Sequence, residues 1–257
     1  MTRLTGEWMN SLVENIDARE KDLLQKTGLD FAGMAAAANG IALTELCSAA
    51  QKHTVSVIPI TQGLGVIEGF AESVAAIVER AGFSAFVTTS TDVTGFYEAY
   101  RRGANIVFLA DDTRYVGFRL DIRRLIDNND ATAQGYVAAL EAAAGSLAGQ
   151  RVLVLGCGTI GQEAGIRLIA KGATPVYYDS DAKRCVPGKL PGGMIEEDAS
   201  CVGRYALIFD ATNTGGWLHE GMLREDAWVT SPGVPLSLDD AAMARHGARV
   251  IHDELEI

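Results

Sequence analysis

Apolar side chains recur at helical spacing from the N-terminus, through Trp8, Leu12, Ile16, Leu23 and Leu24, and the pattern stops at Thr27-Gly28. This predicts a long amphipathic helix, or a pair of turns, wrapped on the core. A second helix is expected from about Thr44, as its cap, to Lys52. The pattern then changes period. Residues 55–60 (Val-Ser-Val-Ile-Pro-Ile) have the β-branched density of a buried strand, which breaks into Thr61-Gln62-Gly63-Leu64-Gly65 before a helix ending near Arg80. A strand over 85–88, a helix over 92–102 opened by Asp92 as an acidic cap, and a strand over 105–110 stopped by Asp111 and Asp112 continue the alternation. Strand and helix in turn predict a parallel sheet with right-handed crossovers. Residues 116–120 are expected as an edge strand. Asp127-Asn128-Asn129-Asp130 offers a turn and cap for an alanine-rich helix from 131 to about 147.

A second strand and helix series starts at Gln150. Residues 151–155 (Arg-Val-Leu-Val-Leu) read as a buried strand, followed by Gly156-Cys157-Gly158-Thr159-Ile160-Gly161 and a helix through Ala170. Further strands are expected at 175–178, 206–209, 227–230 and 249–251. The fold expected is α/β with two α/β domains. The first, residues 1–148, is a helical segment plus a smaller α/β substrate domain; the second, residues 149–257, is a Rossmann-type, doubly wound parallel sheet.

A lone GxGxxG is a weak signal, but here it follows an apolar strand, opens a helix, and precedes a second strand that ends at Asp179. Gly156 permits the tight turn, Gly158 lets backbone approach a pyrophosphate, and Gly161 lets helix pack on strand, with Thr159 and Ile160 opening the helix. Asp179, with Ser180 beside it, is placed to accept hydrogen bonds from ribose hydroxyls and to repel a 2′-phosphate, which favours NAD over NADP; Lys183 and Arg184 nearby act against that preference.

With 33 Asp and Glu against 22 Lys and Arg, the net charge of −11 repels nucleic acid and anionic lipid surfaces. No apolar run reaches the roughly 18 residues of a membrane span, and no signal peptide is visible, so a soluble, cytoplasmic protein is expected. The cysteines at 47, 157, 185 and 201 form no CxxC pair and do not cluster in sequence with histidine, so no metal site and no disulfide framework is expected.

Ligands in such sheets bind past the carboxyl ends of strands. In the second half these positions hold Asp210, Thr212, Asn213, Ser231, Pro232, Gly233 and His252, of which Thr212, Asn213, Pro232 and Gly233 are expected to line a nicotinamide pocket. In the first half the loop at Thr61 and Gln62 and the pair Asp111-Asp112 are expected to open toward the same crevice. One aspartate would bind a substrate ammonium while the other caps a turn or pairs with Arg114. Trp217, Trp228, Phe96, Tyr97 and Tyr100 are expected in the core. The chain has six lysines, none of them following a strand of the first half, so it lacks the catalytic lysine of shikimate-type dehydrogenases.

Together these segments resemble the PylD family, the 3-methylornithyl-N6-L-lysine dehydrogenases of pyrrolysine biosynthesis. The resemblance runs through Leu4, Thr27-Gly28-Leu29, residues 57–61, Gly63, Gly65, Gly69-Phe70, Gly82-Phe83, Ala110-Asp111-Asp112, Asp127-Asn128, residues 135–140 and 152–156, Pro232-Gly233-Val234-Pro235 and His252-Asp253. It implies NAD-dependent oxidation of the primary amine of 3-methyl-D-ornithyl-N6-L-lysine, capture of the oxidised carbon by the ornithine α-amine, loss of ammonia and closure of a pyrroline ring. With strand-end position, it implies substrate contact at Leu4, Thr61, Gln62, Phe70, Asp111, Asp112 and Asn128. Asp111 is the catalytic candidate, with Glu254 or Glu256 entering by a conformational step. Dehydrogenases of this plan usually carry a helix after the last strand, so either the N-terminal helix covers that face or a tail follows Ile257. The alternatives are another NAD-dependent amino- or imino-acid dehydrogenase of the shikimate or methylene-tetrahydrofolate dehydrogenase plan, and a non-catalytic NAD-binding module. A homodimer is left open.

Overall fold

The computed structural model describes residues 6–253, with side chains from Glu14 onward. Residues 6–22 and 30–131 form one compact unit and residues 23–29 and 132–253 another.

The first unit opens with helix α1 (Gly6–Thr27), whose last turn groups with the second unit; Gly28 follows it in a left-handed conformation at φ 76°. A short helix, α2 (Phe31–Asn39), lies in the alanine-rich stretch that carries no helical prediction. Asp30 caps it by accepting from Gly33 N at 2.7 Å, and Gly40 ends it at φ 64°. Helix α3 (Leu43–Ala50) begins before Thr44, after an extended Ala42 that makes no side-chain cap, so Thr44 is a helical residue and not the cap expected of it. Strand β1 (Thr54–Ile58), helix α4 (Phe70–Arg80), strand β2 (Ser84–Val87), helix α5 (Asp92–Arg101) and strand β3 (Ile106–Ala110) follow the predicted alternation.

The first sheet has the order β2-β1-β3-β4-β5, and only β2, β1 and β3 are parallel. Strands β4 (Tyr115–Arg119) and β5 (Arg124–Asp127) are antiparallel to their neighbours, so β4, expected at an edge, is interior, and β5 takes the edge. The four residues 111–114 between β3 and β4 are too few for a crossover, and a tight turn pairs strands antiparallel. The Phe96, Tyr97 and Tyr100 set is also corrected: Tyr97 is 62% and Tyr100 68% exposed, because α5 packs on the sheet through Gly95 and Ala99.

Helix α6 (Asn128–Ala144) begins three residues earlier than predicted and carries the chain into the second unit. There β6 (Arg151–Leu155), helix α7 (Thr159–Ala170), β7 (Thr174–Tyr178), β8 (Met194–Ile195), β9 (Leu207–Asp210), β10 (Trp228–Thr230), helix α8 (Asp240–His246) and β11 (Val250–Ile251) build a six-stranded sheet, order β11-β10-β9-β6-β7-β8. Every pairing in it is parallel. Its two faces are covered by separate apolar clusters, one around Val152, Val154, Tyr177 and Phe209, the other around Leu153, Leu155, Val176 and Ile208. Burial on both faces explains the near-continuous apolar strands. Each such side chain contributes about 1.5–3 kcal/mol relative to exposure. Trp217 and Trp228 are half-buried and pack against these clusters. Among the described residues no helix is long and apolar enough to cross a membrane.

Candidate functional site

In the second sheet the chain runs outward from β6 through β7 to β8 and then returns to β9 on the other side of β6. The strand order therefore reverses between β6 and β9, and a crevice opens past their carboxyl ends. The predicted glycine turn stands there. Gly156, at φ 89°, lies so close to the other strand's exit that a Cβ on it would sit 2.9 Å from the Ala211 carbonyl oxygen. A Cβ on Gly161 would sit 1.9 Å from the Gly156 carbonyl, so α7 can pack on β6 only through glycine. At Gly158, by contrast, a Cβ would meet nothing within 4 Å. Gly158 is also the N-cap of α7 and offers no side-chain cap, leaving the first turn's amide end to an outside acceptor. Close packing at the first and third glycines with open space at the second fits a bound pyrophosphate.

Asp179 directly follows β7 with both oxygens engaged: Oδ2 accepts from Cys157 N at 2.8 Å and Oδ1 from Asp181 N at 2.9 Å. The ribose candidate thus also ties the glycine turn to its neighbouring strand. Ser180 is next in the same bend. On the other side of the crevice, a Cβ on Gly233 would sit 1.9 Å from the Thr212 carbonyl oxygen, so Thr212, Pro232 and Gly233 are brought together, with exposed Asn213 beside them.

What holds that side is a residue to which sequence reasoning assigned no role. Asp210, fully buried at the end of β9, accepts from Thr212 Oγ1 at 2.7 Å, Thr212 N at 3.1 Å and Ser231 Oγ at 2.8 Å, and it also accepts from Ser237 Oγ. Burial raises its pKa above the ordinary carboxyl value, while hydrogen bonds from Ser237, Thr212 and Ser231 oppose that rise. Trp217 Nε1 donates to Thr212 Oγ1 at 3.1 Å, and His252 Nδ1 lies 2.7 Å from the Ser231 carbonyl, so that nitrogen carries the proton. The only advance signal was an acid closing the apolar run Leu-Ile-Phe-Asp.

In the first unit, the carboxyl ends of β1 and β3 carry the remaining candidates. Pairing of Leu109 with Val116, and of Val116 with Asp127, brings Asp111, Asp127 and Asn128 to the same end of the sheet as the Thr61 loop. An open pocket of about 170 Å³ there is lined by Ile60, Leu109, Ala110, Asp111, Arg114 and Val116. Asp111 Oδ1 accepts from Thr113 N and Arg114 N, both at 2.7 Å, so it caps the tight turn while standing in the pocket wall. Asp112 Oδ2 accepts from Leu64 N at 2.6 Å, and a Cβ on Gly63 would strike that oxygen. The Arg114 guanidinium pairs with Asp127, Nη1 to Oδ2 at 3.1 Å, while Asp111 meets Arg114 through its backbone N. Thr61 is bound at both N and Oγ1 by Asp92, at 2.9 and 2.7 Å. Asp92 has φ 53° and does not act as the acidic cap expected; Thr91 holds the cap position, and Asp92 serves the Thr61 loop. These hydrogen bonds hold its carboxyl below the usual range. Phe70, at the start of α4, meets Tyr115 edge-on at 5.5 Å, and Gln62 is exposed at the loop tip. Leu4, Glu254 and Glu256 lie outside the described residues. No group of three metal-ligating side chains occurs among the described residues.

Comparison with known proteins finds relatives along the whole chain. Residues 9–126 match the family model for the N-terminal domain of pyrrolysine biosynthesis protein PylD. Pyrrolysine synthase of Methanosarcina acetivorans is 29% identical over 259 aligned positions that cover 100% of this chain and 96% of the relative. The corresponding protein of Methanosarcina barkeri is 28% identical, covering 100% of this chain and 95% of the relative. Among solved structures, shikimate 5-dehydrogenase of Thermus thermophilus, in complex with NADP(H) and shikimate, superposes with a TM-score of 0.50 at 18% identity, over 77% of this chain and 86% of that one. That likeness supports the fold, and the sequence similarity reaches further: the N-terminal part of the chain matches the PylD N-terminal domain model, and its full length is similar to pyrrolysine synthases.

Proposed function

We propose that this protein is a NAD-dependent amine dehydrogenase of pyrrolysine biosynthesis, acting on the primary amine of 3-methyl-D-ornithyl-N6-L-lysine. The observation that carries the reading is a dinucleotide turn at the switch point of the second sheet, in a chain aligned over its full length with pyrrolysine synthases. A bound NAD would supply the hydride acceptor. Gly156, Gly158 and the amide end of α7 would hold its pyrophosphate, Asp179 and Ser180 its adenosine ribose, and Thr212, Asn213, Pro232 and Gly233 would wall its nicotinamide ring. Asp179, carrying negative charge at the ribose position, supports NAD over NADP.

In the first unit, Asp111 would bind the substrate's ammonium group and then hold the proton that must leave before the amine carbon can give up hydride. The turn amides fix one carboxylate oxygen, so the group is oriented before substrate arrives. Ile60, Leu109 and Val116 would exclude water from the aliphatic chain, and Thr61, Gln62, Phe70, Asp112 and Asn128 would shape the surrounding loops. No lysine base is required, because the nucleophile that closes the ring is the substrate's own α-amine.

The test is to incubate the protein with NAD and the isopeptide and to follow NADH absorbance together with ammonia and pyrrolysine by mass spectrometry. All three products are expected. Turnover of free ornithine or lysine but not the isopeptide would replace this reading with a general amino-acid dehydrogenase, and dinucleotide binding without turnover of any amine would replace it with a binding module.

A further inference from the structure

Two thiols meet inside the glycine turn. Cys157 stands between Gly156 and Gly158 and is buried; Cys185, half-buried, lies in the loop that follows Asp179, with its Sγ 3.0 Å from Cys157 Sγ. A disulfide spans about 2.05 Å, so about 1 Å of movement would join them. The other two cysteines are built-in controls: Cys47 is exposed on α3 and Cys201 is buried in the opposite apolar cluster. The proposed amine oxidation uses none of these thiols.

We propose that Cys157 and Cys185 form a reversible intrachain disulfide with low-molecular-weight disulfides as oxidant, and that this bond lowers dinucleotide affinity. The bond itself stands on the thiol geometry; its effect rests on the nucleotide reading given above. Burial, and then the neighbouring Cys185 and Asp179, push the Cys157 thiol up, so the more exposed Cys185 is the attacking sulfur. Its thiolate attacks one sulfur of RSSR, the S–S bond breaks, and RSH leaves with a proton. The Cys157 sulfur, losing its own proton, then attacks the Cys185 sulfur of the mixed disulfide and expels a second RSH. Two protein thiols are oxidised by two electrons and one RSSR is reduced to two RSH.

The bridge would act on the nucleotide site because both anchors of Asp179 lie along it. Asp179 Oδ2 is held by the backbone of Cys157 itself. Its Oδ1 is held by Asp181 N, and Arg184 N in turn donates to the Asp181 carbonyl at 2.9 Å, one residue before Cys185. Drawing the sulfurs together therefore displaces the ribose carboxylate, the turn before Gly158, or both.

The experiment treats full-length protein with oxidised glutathione, blocks remaining thiols with N-ethylmaleimide, and reads the intact mass, the linked peptides and NAD affinity. The reduced chain should take up label at up to four cysteines. The oxidised chain is expected to lose two reactive thiols to a 157–185 crosslink, to bind NAD about fivefold or more weakly, and to recover both properties with dithiothreitol. Cys185→Ser should abolish the crosslink and the affinity change, whereas Cys47→Ser should leave both intact. Glutathione adducts without a bridge, a bridge to Cys47 or Cys201, or a 157–185 bridge with unchanged NAD affinity would each overturn the proposal. Should the reduced protein bind no dinucleotide, the affinity claim falls with the functional reading, while the crosslink result still decides whether the thiols pair.

Discussion

Single atoms decide most at the glycine turn. At Gly158 a side chain has room in the protein but stands where a pyrophosphate would approach, so Gly158→Val is expected to abolish NAD binding in a calorimetric titration while changing stability by only about 0.5 kcal/mol. Gly161→Ala should do the reverse damage: its Cβ would meet the Gly156 carbonyl at 1.9 Å, and the chain should lose stability by roughly 2 kcal/mol or more in urea unfolding. Asp179→Ala should weaken NAD binding about tenfold and narrow the gap between NAD and NADP. Unchanged affinity would reassign the ribose contact. The tight turn at Gly156 and the helix packing at Gly161 were legible in the sequence because each is set within a few residues by backbone sterics. Asp210 was not legible, since nothing local distinguishes a buried acid with hydroxyl donors from a surface cap.

Asp210 also shows how elements are joined. Its carboxylate gathers the exits of β9 and β10 and the Ser237 segment, so Asp210→Ala would leave several buried donors without their acceptor and should cost roughly 2–4 kcal/mol, measured by urea unfolding. In the first unit Glu98 on α5 performs a similar task at the surface. It accepts from Thr89 N, Thr89 Oγ1 and Ser90 N and pairs with Arg102, and these contacts draw its pKa from 4.5 down to about 2. A depressed folded-state value means that the carboxylate stabilises the fold above pH 4.5 and that this contribution is lost as pH falls toward 2. Wild type should therefore exceed Glu98→Gln in urea midpoint at pH 7, and the two curves should converge across that acid range; a constant gap would assign the effect to packing. Helix and strand periods made most elements legible. The missed ones, α2, β5, β8 and α8, are short, and their limits are set by caps such as Asp30, Gly40 and Asp239 or by strand pairing more than by an apolar period.

For the whole molecule, a net charge of −11 makes self-repulsion the default near neutrality, and solubility should pass through a minimum near pH 4.8, measurable by precipitation across a pH series. The amino-acid sequence by itself determined that this is an α/β protein, that a glycine-rich strand-to-helix turn occupies residues 156–161, and that the resemblance to the PylD family extends along the chain. These are readings of local period, glycine sterics and residue order. Tertiary structure alone decided that β4 and β5 run antiparallel, that the aromatic residues of α5 face outward, that Thr61 belongs to Asp92 and Asp112 to the Gly63 loop, and that two sulfurs 28 residues apart in sequence lie 3.0 Å from each other. Each depends on which distant partner a segment meets, and that choice is made by the burial and hydrogen-bond balance of the assembled sheet, to which a stretch of sequence is blind until its neighbours are in place.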